Sequence, residues 1–395
     1  MNGSTERDER PGRTELGRSL LDNGFMTSDW APAFEAVPRA AFLPGLMWPH
    51  DPTTGRAVTV NRTDDPAAWW GYADSNVPIV TQWDDGRHTG TEPGGVFTSS
   101  SSMPSVVFSM LADLDVHPGQ SVLEIGTGTG WNAALLAHRV GAGNVVSVEL
   151  DPAVSEGARQ ALRHFGYRDV RVITGDGLLG YPPAAPYDRV IATCGLRSGM
   201  FNWVRQTAPG GIVVVPWGTY FGYTEATARL VVAADGTSAS GHFTRPVNFM
   251  RMRSQRLARP EHSSYVPAQG MGDAVRSTTT VTEAEFLTGS YDVEAFAVGL
   301  RVPDCTHTPD RKRDGKRPVW FYSLTDMSWA VVIFRDSGKE ATVHQSGNRR
   351  LWDEVEAAFR WWLGQGRPDF DRFGLTVTAD RQVPWLDDPS NVLSG

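Results

Sequence analysis

The stretch "SVLEIGTGTGWNAALLAH", beginning at Ser121, passes from an apolar strand pattern through three glycines into a helical pattern. A strand feeding a glycine turn and then a helix returns as a parallel neighbour through a right-handed crossover. The text that follows keeps that alternation. It gives a strand at 121–125, a helix at about 130–140, a strand at 144–150, a helix at 153–165 and strands at 169–174 and 187–192, then a helix at about 199–207 and a strand at 211–216. Such a run predicts an α/β fold with a doubly wound, mostly parallel sheet. Two more strand patterns, near 226–233 and 240–250, have no helix between them and would close the sheet as an antiparallel hairpin.

The glycines Gly126, Gly128 and Gly130 are spaced GxGxG, and Trp131 stands where a third glycine would permit close helix packing in the dinucleotide fingerprint. Glu124 precedes the loop at the end of the first strand. A carboxylate there repels a pyrophosphate at the helix N-terminus and suits a cation. S-adenosylmethionine, with a sulfonium, an ammonium and no phosphate, fits that corner better than NAD. Glu149 ends the second strand 19 residues after Gly130, where an acid can take both ribose hydroxyls. Asp176-Gly177 follows the third strand and can read an adenine edge. With Thr127 and Leu150 beside them, these residues form the expected cofactor site of a methyltransferase, with S-adenosylhomocysteine as product.

Composition narrows the remaining classes. The 395 residues have a net charge of −8, without the clustered cations that nucleic acid requires. Cys194 and Cys305 are the two cysteines, neither in a CxxC pair. No apolar run approaches a membrane span, and the N-terminal text carries no apolar signal core, so a cytoplasmic protein is expected. The organisation reads as a disordered tail at 1–13, a methyltransferase domain with an N-terminal helical cap at 14–255, a linker at 256–276 and a C-terminal α+β unit for substrate recognition at 277–395. Residues 51–95 read as a long loop region with occasional strand, of the kind that covers a site.

The segments "VPRAAFLPG", "TSSSSMPSVVFSML", "VLEIGTGTGWNAALLA", "VSVELDP", "GDGLLGYPPAAPYDRVIATCG" and "PGGIVVVPWG" occur in that order. They resemble the protein-L-isoaspartate O-methyltransferase family over roughly residues 16–250. The resemblance implies esterification of a peptide carboxylate and places the family's serine at Ser99, with Thr98 and Ser100 beside it as further candidates to orient the acceptor. The chain departs from the repair enzymes in its serine run from Ser99 to Ser102, in the text after Thr193 and in about 140 added C-terminal residues. In these it is similar to methyltransferases of ribosomal peptide maturation, those of graspetides and lanthipeptides. That implies methylation of an ordinary Asp in a modified precursor peptide with an acidic core, followed by closure to an aspartimide.

Isoaspartyl repair is one alternative, and a non-catalytic protein that holds S-adenosylmethionine or its product is another. Three further features have plain readings. The run Arg311, Lys312, Arg313, Lys316 and Arg317 is a solvated loop or an anchor for an acidic peptide; Trp361 and Trp362 lie with Leu351, Val355 and Phe359 on the core face of the last helix; and Cys305 with His307 is a thin metal hint outweighed by a structural role.

Overall fold

The computed structural model describes residues 11–222, 224–258, 260–268, 270–272, 274–289, 293–336 and 340–393. Among them, nine strands form the main sheet. Their order is Gln382–Leu386, Phe373–Val377, Ala239–Val247, Glu225–Val232, Thr207–Trp217, Tyr187–Ala192, Val122–Ile125, Val145–Glu149 and Arg171–Thr174. The last five are parallel, with Val122 opposite both Arg189 and Val145. The first four are antiparallel to their neighbours, Phe373–Val377 reaching Ala239–Val247 from far along the chain. The expected doubly wound sheet is therefore present, and it has the Rossmann-like form of the class I methyltransferases. Helices Trp131–Val140 and Pro152–His164 supply the crossovers, the second capped by Asp151, whose side chain accepts from the backbone N–H groups of Ala153 and Val154.

Trp131 explains why the glycine pattern stops where it does. Its ring is buried against Phe108, and its Nε1 donates to the Val37 carbonyl at 3.1 Å. The helical cap is thus fastened to the first crossover helix, while Arg39, in "VPRAAFLPG", reaches the other way. Its guanidinium is buried, donates to Ser101 Oγ at 2.9 Å and to Ser101 O at 2.8 Å, and is pulled down to about 9 by that burial.

The segment before the glycine loop holds more regular structure than its text suggests. Residues 51–95 are turn or loop for just over half their length, as expected, but they also hold helix Pro66–Ala73 and strand Ile79–Trp83, which pairs antiparallel with the flanking strands Leu46–Asp51 and Phe97–Ser101 in a small sheet. The serine run lies on a strand: Ser99–Ser101 belong to the last of those three, and Met103 holds the N-cap of helix Pro104–Leu114. Alternation of buried and half-exposed serines on a strand had no hydrophobic signature to betray it.

The domain boundaries shift as well. Of the expected tail, residues 1–10 lie outside the described residues, and Pro11 already opens a helix in which Arg13 is buried. The expected linker contains a short helix, His262–Tyr265, and its first residue, Arg256, belongs to the site described below. The C-terminal unit is a five-stranded antiparallel sheet, Val275–Thr279, Ala341–Ser346, Trp329–Arg335, Lys316–Ser323 and Cys305–Pro309, with helices Val293–Arg301 and Leu351–Gly364. Its terminal hairpin, however, leaves that sheet and joins the main one, and one apolar core runs through both, from Leu123 and Val190 to Phe321 and Trp352.

Candidate active site

The carboxyl ends of the parallel strands carry the loops where ligands bind in open α/β sheets. Here a cavity of about 230 Å³ opens at those ends. It is lined by Gly126, Thr127 and Gly128 after the first strand, Glu149 and Leu150 after the second, and Asp176 and Gly177 after the third. The serine strand forms another wall, to which Thr98, Ser99, Ser100, Ser101 and Ser102 all contribute. So the structure brings together ten of the twelve residues expected from sequence. The exceptions are Glu124 and Gly130, which sit behind the wall.

Gly126 and Gly128 have φ of 96° and 54°, in the left-handed region that favours glycine. A Cβ on Gly126 would lie 2.7 Å from Thr193 Oγ1, and one on Gly128 would lie 3.2 Å from the Ser100 carbonyl. The loop therefore stays bare and narrow, as a backbone cradle must. Glu149 is fixed from both sides: Oε2 accepts from the Gly128 N–H at 3.0 Å and Oε1 from the Asp151 N–H at 3.0 Å. Asp176 caps its own turn by accepting from the Leu178 N–H at 3.0 Å. Leu150 keeps an exposed apolar side chain at the rim, suited to the face of a base.

Glu124 does not line the cavity, unlike the other acids that the sequence placed there. It is fully buried, and it accepts from Asn132 Nδ2 at 2.7 Å and from Ser147 Oγ. Burial pushes its carboxyl up to about 7, against those two hydrogen bonds. Asn132 does line the cavity, so Glu124 is linked to it through that amide.

Ser99 is buried, and its Oγ accepts from Thr81 Oγ1 at 3.3 Å, which leaves its own hydrogen as a donor. Thr98 is more committed. Its hydroxyl donates to Gln82 Oε1 at 2.8 Å and accepts from the Asp85 N–H at 3.2 Å. Cys194 also lines the cavity, but burial pushes its thiol up to about 12, so it is no nucleophile near neutral pH.

The residues that sequence reasoning missed follow the last antiparallel strand of the main sheet's first hairpin. Phe249 to Ser254 and Arg256 cross the cavity, bringing Arg251, Arg253 and Arg256 into its wall. The text "MRMRSQR" alternates cations with apolar residues, and the expected domain boundary between 255 and 256 falls inside it. Elsewhere the plain readings fit the contacts. Lys312 and Arg317 pair with Glu283, His307 Nδ1 bonds the Phe221 carbonyl at 2.6 Å, and Leu351, Val355, Phe359 and Trp362 are buried, while Trp361 stacks under Arg301. Among the described residues no group of three His, Cys, Asp or Glu side chains could hold a metal, and no helix is long and apolar enough to cross a membrane.

A Rossmann-like sheet with a bare glycine cradle, an acid at the second strand end and an Asp-Gly at the third defines a class I S-adenosylmethionine-dependent methyltransferase fold and site. The profile described as Protein-L-isoaspartate(D-aspartate) O-methyltransferase matches residues 71–255. The protein-L-isoaspartate O-methyltransferase of Ignicoccus hospitalis is 42% identical over 206 residues, 52% of this chain and 81% of that protein. The chain belongs to that family. The protein of the same name from Pyrococcus horikoshii is 45% identical over 119 residues, so the match spans 30% of this chain and about half, 54%, of that relative. A solved structure named protein-L-isoaspartate O-methyltransferase shares the fold, with a TM-score of 0.54 at 22% identity, over 95% of this chain and 100% of its own. The C-terminal unit thus lies within the span of a fold that bears the family name.

Proposed function

We propose that this chain methylates a carboxylate of isoaspartyl peptides, using S-adenosylmethionine as donor. The observation that carries the reading is the meeting of the cradle, Glu149 and Asp176 with the serine strand in one cavity. Glu149 would hold the ribose hydroxyls, Asp176 and Gly177 the adenine edge, and Gly126 to Gly128 the amino-acid end. When bound, the donor supplies a methyl carbon on sulfur, which a carboxylate oxygen takes as the S–C bond breaks and S-adenosylhomocysteine leaves.

A carboxylate has a pKa near ~4, so about 999 in 10³ are already anions at neutral pH. No general base is needed. The chain's task is to orient one oxygen, hold the other and exclude water, and orientation can contribute roughly 7–11 kcal/mol. Ser99 is the group placed to hold an acceptor oxygen without protonating it, with Ser100 beside it in the same wall.

A second reading is esterification of an ordinary aspartate in a modified precursor peptide, followed by attack of the next backbone nitrogen, loss of methanol and an aspartimide. The serine run in the cavity wall favours it, since Ser99 to Ser102 all contribute to that wall. The C-terminal unit does not discriminate. Mass spectrometry after incubation with S-adenosylmethionine separates the readings: an isoaspartyl peptide, a linear acidic precursor and a cross-linked precursor are offered in turn. Methylation of the isoaspartyl peptide supports the first reading. Gain of one methyl and then loss of methanol only on the cross-linked peptide would replace it with the second, and binding of S-adenosylhomocysteine with no turnover would leave a non-catalytic binding protein.

A further inference from the structure

Gln82 carries one side chain across from the serine strand to the main sheet. Its amide accepts from Thr98 Oγ1 at 2.8 Å and donates through Nε2 to Asp151 Oδ2 at 3.2 Å, 69 residues away in the chain. Asp151 in turn gives its N–H to Glu149 Oε1 at 3.0 Å, and the other Glu149 oxygen takes the Gly128 N–H at 3.0 Å. Thr98, Gly128 and Glu149 all line the cavity. One series of hydrogen bonds therefore runs from the wall offered to the acceptor to the acid and cradle offered to the donor. An ionised carboxylate can only accept, so the amide's NH2 group must face Asp151 and its carbonyl must take the Thr98 hydrogen. That leaves the Thr98 oxygen to accept from the Asp85 N–H, 3.2 Å away.

The local backbone aims this amide. Gln82 stands opposite Ser99 in the small sheet, and the register shifts on both sides of it, between Val80 and Gln82 and between Gln82 and Trp83. Such bulges re-aim a side chain and recur beside active sites. In the turn that follows, a Cβ on Gly86 would lie 3.1 Å from Gln82 Nε2, on a backbone at φ 79°, so glycine leaves the amide its room. A second link runs from Asp85 through Arg253 to Asp151, but Asp85 and Arg253 are each about a quarter exposed, which weakens that pair. Methyl transfer is sensitive to such a tie. The oxygen and the methyl carbon must meet in line at about 3–3.5 Å, and a misplacement of about 1 Å can cost roughly 10²-fold.

We infer that Gln82 is a positioning residue for methyl transfer, setting the distance between the acceptor wall at Thr98 and the donor end at Glu149. This rests on the carboxyl methyltransferase reading above. Steady-state kinetics with the isoaspartyl peptide, and calorimetry with S-adenosylhomocysteine, test it on the full chain. Gln82→Met keeps the length of the side chain and removes both polar ends, so kcat should fall roughly tenfold or more while peptide KM and cofactor-product affinity stay within about twofold. Thr98→Val breaks the same series one bond earlier and should lower kcat alike. The double variant should be no slower than the worse single one, because both remove one connection. An unchanged kcat in Gln82→Met overturns the inference, and a lower melting temperature with that kcat would mark a merely structural residue. A double variant whose loss is the product of the two single losses overturns it too. So does weaker S-adenosylhomocysteine binding with kcat unchanged, which would make Gln82 a support of the cofactor loop alone. A wild-type chain that binds S-adenosylhomocysteine yet methylates no carboxyl peptide overturns the activity itself, before any variant is compared.

Discussion

The carboxylate of Asp85 takes Arg253 Nε at 2.9 Å and Arg256 Nη1 at 3.0 Å, tying a turn that precedes the main sheet to the segment that follows its first hairpin. Asp84 and Asp85 both have left-handed φ, 53° and 55°, a conformation that costs about 1–2 kcal/mol per residue. What holds them there is local: the Asp84 carboxylate accepts from the N–H groups of Gly95 and Val96. The strained turn aims Asp85 across the cavity mouth, and Arg253 continues the connection to Asp151, whose N–H holds Glu149.

Asp85→Asn should therefore loosen the cavity without unfolding the chain. The pairs are about a quarter exposed, so each is worth only about 1 kcal/mol, and together they set an upper limit of roughly 30-fold on the loss in S-adenosylhomocysteine affinity. Tryptic cleavage after Arg251, Arg253 or Arg256 should accelerate and be suppressed by the ligand. Calorimetry and a digestion time course check both; wild-type values in each would mean the turn is only decorative.

Glu124 gives a pH signature. Its folded value of about 7 lies above the ordinary 4.5, so the native state keeps a proton that the unfolded chain has released. That contribution is fully present below about 4.5 and is lost as pH rises to about 7, amounting to roughly 3 kcal/mol. Glu124→Gln should be more stable than wild type at pH 8 and no more stable at pH 5. Melting temperatures measured across that range decide it, and curves that stay parallel would assign the titration elsewhere.

Gly126→Ala separates cradle from scaffold. The new methyl would meet Thr193 Oγ1 at 2.7 Å on a backbone already at φ 96°, so S-adenosylhomocysteine affinity should fall by at least roughly tenfold while the fold survives with a loss of about 1–3 kcal/mol. Gly143→Ala is the control, since nothing lies within 4 Å of a Cβ there. Equal behaviour of the two variants in a binding titration would contradict the assignment of the loop.

Ser99→Ala should leave cofactor-product affinity intact and lower kcat roughly 10²-fold, the scale of one lost donor to a developing charge distribution. The comparison with Ser100→Ala matters. Ser99 is buried with one neighbouring hydroxyl, whereas Ser100 is half-exposed, so the second substitution should cost less. If Ser99→Ala weakens binding and spares the rate, its place in the site has been misread.

How much of this was legible beforehand follows from the kind of signal each part leaves. Parallel strands write themselves as apolar runs between helical patterns, and Gly126, Gly128, Glu149 and Asp176 sit at fixed offsets from those runs, so sheet and cradle could be read directly. Glu124 looked like a ligand-facing acid because sequence gives position along a strand but not which neighbours fill the space beside it; Ser147 and Asn132 do. The small sheet was missed because strands such as "IVTQW" and "FTSSS" are short and mixed in polarity. The arginine segment was missed for a different reason: Arg253 finds Asp85 and Asp151 more than a hundred residues away, and no local pattern encodes that.

The C-terminal hairpin provides the last test, of whether the chain divides where its texture changes. Phe373, Leu375, Val377, Trp385 and Leu386 are buried in the two strands that finish the main sheet. Burial of each such side chain contributes about 1.5–3 kcal/mol, and a typical domain has only about 5–15 kcal/mol of net stability. A chain ending at Arg372 loses all five and leaves Ala239–Val247 as an unpaired edge, a template for association. It should therefore aggregate or lose its cooperative thermal transition, and a chain ending at Gln255, which also strips the shared core around Phe243 and Phe296, should do worse. Size-exclusion chromatography and near-ultraviolet circular dichroism report the outcome. A monomer of either length with native signal and full S-adenosylhomocysteine affinity would show that the methyltransferase unit stands alone after all.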